Sequence, residues 1–358
     1  MIRIGVITSE AHAITGGRFS QHLYALWYFK RQLQSAGLKI LFLPLGKTVS
    51  GHFDWVLVDS KSQRAGLTKP PGWPQCLAVE WRKKCGRIAF LDNSDASGTT
   101  QFEVLEAYDL YFKKQLYVDR TAYSRKEQDN RIHCEFYRNQ MRLEAQPASS
   151  PRVALAASDY SRVKLSWNLC LSNNVQPGRG ARIRRGLARI PLPLPARHEK
   201  ARDKVFARWS QNHSLAAVAF QRRELELAMS RHESSKSILV GTTTPRRYLR
   251  ELRSAIAVVS PFGFGELCYR DLEAFCAGVA LLKPDVGHLE TWPPIYHAGE
   301  TYVSLPWDIT SMAESILHLL QSPAHLLQIG ARGRTVLEHY WTDAGGQLFS
   351  KRLASLLE

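Results

Sequence analysis

The stretch from Ser260 to Gly278 limits what this chain can fold into more than any other. A β-branched, apolar run, Ala255 to Val259, leads into a loop that carries Gly263 and Gly265. A helical pattern begins near Glu266 and stops at Gly278, and a second apolar run, Val279 to Leu282, follows it. Strand, glycine loop, helix and strand make a βαβ unit, which turns a helix N-terminus toward a ligand and favours an anion there. At about 100° per residue, Glu266, Arg270 and Glu273 share one face of that helix. Cys268, Leu272, Phe275 and Cys276 form the opposite, apolar face, which would pack on the sheet. Packing alone has no use for two acids and an arginine on a single stripe, so the segment reads as a binding site.

The chain is long enough, at 358 residues, for two domains with separate cores. Its formal net charge of +16 is the compositional outlier and points to an anionic partner: nucleic acid, a sugar nucleotide or an acidic membrane surface. Against nucleic acid, no recognition motif appears, and the basic residues are not interleaved with aromatics as a stacking platform requires. The six cysteines are scattered without close pairs, which fits a reducing compartment and gives no zinc site. No apolar run approaches the ~18 residues of a membrane span. The opening residues read as a strand rather than a signal peptide, and the expected location is cytoplasmic.

Residues 3–8, 38–43, 54–59 and 86–92 read as successive strands of a parallel sheet, with an amphipathic helix over 20–36. Ligands of open α/β sheets bind beyond the carboxyl ends of the strands. Asp59, Asp92 and Asp95 lie at such ends and either face that crevice or cap loops. Gly16 and Gly17 in the first loop either let it approach a ligand in that crevice, on the acceptor side, or only make a turn, and His12 beside them is either part of that cleft or a loop hydrogen-bonder. The segment from Tyr123 to Ser150 is polar and reads as a surface excursion. Between Gln176 and Pro195 prolines, glycines and arginines mark a domain boundary. Its basic run is either a solvated linker or a contact for acidic lipid headgroups. The expected division is residues 1–190, 191–345 and a closing helix within 346–358.

Residues 260–285, then His288 to Pro293, Glu300 to Val303 and Trp307–Asp308, resemble bacterial glycosyltransferases of the GT-B type. The likeness is to the group-1-like enzymes of lipopolysaccharide and capsule clusters. It implies two Rossmann-like α/β domains facing across a cleft, with the last helix returning to the first domain. It also implies transfer of a sugar from a nucleotide sugar to a surface-glycan or glycolipid acceptor at the inner membrane face, without an essential metal or other cofactor. An epimerase or a non-catalytic protein of the same fold is the alternative. Leu272 to Gly278 is similar to the family's nucleotide-binding helix, so the ribose-binding role carries to Glu273. Arg270, with Arg223 and Lys283, is expected on the diphosphate, beside Gly263, Gly265 and Glu266 in the donor loop. Many members carry an acid where this chain has Gly265. Glu266 stands one residue later, and Asp95 is the other candidate for a general base.

Overall fold

The computed structural model describes residues 1–8, 21–44, 51–61, 72–124, 130–141, 153–172, 203–231 and 236–358. The expected boundary between Gln176 and Pro195, its arginine run, and His12, Gly16 and Gly17 lie outside the described residues.

The apolar runs of the first half become six parallel strands. They are β1 (Ile2–Thr8), β2 (Leu38–Pro44), β3 (Phe53–Asp59), β4 (Cys85–Asp92), β5 (Leu110–Lys113) and, after the short β6 (Gln115–Tyr117), β7 (Val163–Leu165). Their order is β2-β1-β3-β4-β5-β7, and every adjacent pair is parallel. Val56, Leu57, Val58, Ile88, Ala89 and Phe90 have no exposed surface, as strands covered on both faces require. The helix expected over 20–36 is broken at Phe29 into α1 (Tyr24–Tyr28) and α2 (Lys30–Ser35); α3 (Trp73–Arg82) precedes β4.

The second sheet has the order β13-β11-β10-β8-β9 and is again parallel throughout. Its strands are β8 (Lys204–Ala207), β9 (Ile238–Val240), β10 (Ala255–Val259), β11 (Ala280–Pro284) and β13 (Val303–Leu305). Helices α5 (Ala216–Ser230), α6 (Pro245–Ser254), α7 (Tyr269–Ala277), α8 (Ile309–Leu319) and α9 (Pro323–His339) connect or flank them. The chain thus forms two Rossmann-like α/β units.

Among the described residues several contacts join the units, three of them through elements that cross from one to the other. β6 pairs antiparallel with β12 (Leu289–Thr291), so a two-stranded ladder crosses between them. The second is α4 (Ile132–Gln140), which corrects the expected surface excursion. His133, Cys134 and Tyr137 on this helix are buried, and Tyr137 Oη donates to the Trp307 carbonyl at 2.8 Å. The third is α10 (Asp343–Leu356), which starts earlier than the sequence pattern indicates and lies against the first unit. Phe349 packs on Phe29 with ring centroids 5.6 Å apart, and Gln32 Nε2 donates to Asp343 Oδ1 at 2.8 Å. A Cβ on Gly346 would meet Phe29 at 2.7 Å, so this crossing depends on the missing side chain. Among the described residues no helix is long and apolar enough to cross a membrane.

Candidate functional site

The loop after β10 and the start of α7 are built by one acid that the sequence pattern does not single out. The helix begins at Tyr269, not near Glu266, with Cys268 as its N-cap and Gly278, at φ 61°, as its left-handed C-cap. Cys268 is therefore not on the apolar face. Asp271 closes a capping box with it, accepting from the Cys268 amide at 3.1 Å, while the thiol lies 3.2 Å from Asp271 Oδ1. Asp271 also accepts from Ser260 Oγ at 2.5 Å and Tyr296 Oη at 3.2 Å. Lys283, fully buried, completes this knot 3.1 Å from Asp271 Oδ2. Its charge is matched by Asp271, so Lys283 braces the loop rather than meeting a diphosphate, which corrects the role expected for it.

Above this knot two guanidinium groups converge. Arg270, in the first turn of α7, lies 6.0 Å over the Trp209 ring, and its Nε and Nη1 atoms are buried with no hydrogen-bond partner. Arg222 on α5 donates to the carbonyls of Ser210 at 3.1 Å and Phe262 at 3.3 Å, and its buried Nε has no partner. Burial and the neighbouring charge of Arg270 push Arg222 down to about 10. Two like charges held close with unspent donors are costly unless an anion joins them. The Trp209 Nε1 donor is likewise buried without a partner. Arg223, expected here, is about half-exposed, bonds Glu224 at 3.0 Å and lines an open groove of about 510 Å³ with Gln211 to Ser214. The buried positions of α5 are Ala217, Val218, Gln221, Leu225 and Met229, and Arg222 is half-buried beside them.

Glu273, one turn beyond Arg270, accepts from Tyr248 Oη on α6 at 2.6 Å. Burial raises its carboxyl above the usual range, against the pull of Tyr248 and Arg270. Tyr248 is steadied edge-on by Phe206 of β8, with centroids 4.8 Å apart.

The glycines of the loop do different work. A Cβ on Gly263 would meet only Arg222 Nη2, at 3.8 Å, and the Gly263 carbonyl lies 3.3 Å from His133 Nε2. A Cβ on Gly265 would lie 1.8 Å from the Asp95 carbonyl oxygen. No side chain, acidic or otherwise, fits there while the two units touch. Glu266 does not share the stripe of Arg270 and Glu273. It is fully buried between the units and accepts from the Ser97 amide at 3.0 Å and from Gln115 Nε2 at 3.3 Å.

On the first-domain side, Asp92 is closed off from any crevice. It is buried and accepts from Lys113 Nζ at 2.8 Å, Tyr111 Oη and the Ser94 amide. Asp59 is buried and bonded to Asn93. Asp95 alone stays open, with 47% of its side chain exposed. Burial works to raise its carboxyl, but Lys114 at 3.1 Å and Lys61 at 4.0 Å hold it below the usual range. His288 is packed among Trp307 and Tyr117.

No family model matches the chain, and no curated protein matches it. Solved structures similar to it include Anabaena HepE with UDP and glucose, at 9% identity and a TM-score of 0.45, covering 99% of this chain and 100% of that one. Others are sucrose-phosphate synthase of Thermosynechococcus elongatus (12% identity, TM-score 0.45, 99% and 98% covered) and a glycosyltransferase of Rickettsia africae (10% identity, TM-score 0.47, 99% and 97% covered).

Proposed function

We propose that this chain transfers a glycosyl group from a nucleotide sugar to a glycan or glycolipid acceptor of a bacterial surface polysaccharide, working at the inner face of the cytoplasmic membrane. The observation that carries the reading is the pair Arg222 on α5 and Arg270 in the first turn of α7, of which Arg222 Nε and Arg270 Nε and Nη1 are buried without a hydrogen-bond partner. A diphosphate supplies the missing acceptors and the compensating charge. Glu273, one turn further, is an acceptor for ribose hydroxyls, and Tyr248 holds its carboxylate.

In this reading the bond from the anomeric carbon to the diphosphate oxygen breaks, and the nucleoside diphosphate leaves with the electron pair. The bond to the acceptor oxygen forms, and the hydroxyl proton passes to Asp95, the carboxylate exposed on the first-domain side. Arg222, Arg270 and the helix N-terminus meet the charge that develops on the leaving group. No metal is assigned a role, so EDTA should leave the rate unchanged.

Thermal-shift measurements with UDP, GDP, CMP and ADP should show stabilisation by at least one of them. Release of that diphosphate from its sugar conjugate should depend on a lipopolysaccharide-type acceptor. No response to any nucleotide, or acceptor-independent conversion of the sugar nucleotide, would overturn the proposal.

A further inference from the structure

Glu266 is the one acid of the donor loop that the chemistry above leaves unused, and its surroundings explain why. The side chain has no exposed surface. Its Oε2 accepts from the Ser97 amide at 3.0 Å, Ser97 Oγ at 3.4 Å and Gln115 Nε2 at 3.3 Å, all of the first domain. The same Gln115 amide nitrogen donates to the Asp95 carbonyl at 2.7 Å, and that carbonyl is the group against which Gly265 is pressed. Lys114, the residue before Gln115, grips the Asp95 carboxylate from the other side at 3.1 Å. The path from Glu266 to Asp95 is thus short: one carboxylate, one amide side chain and one tight backbone contact.

Burying a carboxylate is costly unless charge-assisted bonds compensate, and among the described residues its hydrogen-bond donors, on Ser97 and Gln115, all come across the seam. We infer that Glu266 is a positioning residue: it fixes the Asp95 loop of the first domain against the anion site of the second and makes no contact with reacting atoms. This rests on the transfer reading above. It differs from a role for Glu266 on the sugar or as a base, for which an exposed carboxylate is needed.

The test compares Glu266→Ala and Glu266→Gln, since Gln keeps an oxygen for the Ser97 amide. Amide exchange over residues 95–99 should quicken about tenfold or more in the Ala variant and stay near the parent rate in the Gln variant. In transfer assays Ala should lower kcat about 10- to 100-fold, with Gln recovering most of that loss and keeping the parent pH–rate profile. Nucleotide affinity should change less than about twofold in both. If Glu266→Ala does not fold, Gln115→Leu, which leaves the carboxylate in place, should loosen 95–99 in the same way. Unchanged exchange in Glu266→Ala, or in Gln115→Leu where the Ala variant does not fold, overturns the inference. So does a Gln variant as inactive as Ala that loses one limb of the pH–rate profile. Should the parent transfer nothing, the transfer reading fails, while the exchange measurements still decide the coupling.

Discussion

Replacing Gly265 by alanine tests the closeness of the two domains with a single methyl group. The added Cβ would stand 1.8 Å from the Asp95 carbonyl oxygen, 2.3 Å from its carbon and 3.0 Å from the Ala96 nitrogen. All three are backbone atoms, so no side chain can swing aside, and the loops must part by more than about 1 Å. Overpacking of this kind costs about 1–3 kcal/mol on its own. Parting also stretches the bonds that Ser97 and Gln115 make to the buried Glu266, and a charged bond is worth about 1.5–3 kcal/mol. The expected loss is roughly 3–5 kcal/mol, which for a chain of this size lowers the melting temperature by about 4–7 °C. Gly263→Ala is the control, because its Cβ meets only Arg222 Nη2 at 3.8 Å. Scanning calorimetry of both variants, with amide exchange over 95–99, gives the comparison. A Gly265→Ala protein that melts within about 2 °C of the parent, with exchange unchanged, would refute the contact on which the argument stands.

The anion site makes its own demands. Arg222→Gln and Arg270→Gln should each weaken binding of the active nucleoside diphosphate about 10- to 100-fold by calorimetric titration, whereas Arg223→Gln should not change it. The buried pair Asp92–Lys113 should tolerate no one-sided change: Asp92→Asn leaves an uncompensated ammonium and should cost about 3–5 kcal/mol, read by denaturant unfolding. His133 sets an acid limit on stability. Burial pushes its imidazole down to about 4, while the unfolded chain binds the proton near 6.5, so stability is full above about 6.5 and falls as the pH drops toward 4. The slope is about 1.4 kcal/mol per pH unit over that window, and about 3 kcal/mol in all. His22 and His288 are shifted in the same direction, so His133→Gln should flatten the melting-temperature profile below pH 6.5 without abolishing its slope.

What could be read from the sequence followed the range over which each signal acts. The run Ala255 to Val259 and the stop at Gly278 are local, and the strand and the C-cap fall where the pattern places them. The start of α7 was misjudged because Glu266 fits the helical spacing. The competing signal, Cys268 with Asp271 three residues on, is also local and was there to be weighed. Arg222 and Arg223 are adjacent on α5, and what separates them lies outside the helix: Arg222 reaches the carbonyls of Ser210 and Phe262, while Arg223 bonds Glu224. β8 and α4 were missed for different reasons. β8 is four residues beside a polar stretch, and α4 looks like a solvated helix until the second domain covers His133 and Tyr137. Asp92 ends β4 and Asp95 follows three residues later. They differ because Lys113, the last residue of β5, meets Asp92 in the core, while Lys114, in the bend that follows and itself buried, meets the exposed Asp95. Gly265 and Glu266 were beyond reach altogether. Both are defined by backbone and side chains some 170 residues away, Asp95 and Ser97, and no local pattern encodes that approach. The missing acid at Gly265 is then a packing requirement: the carbonyl of Asp95 takes the space that a side chain there would need.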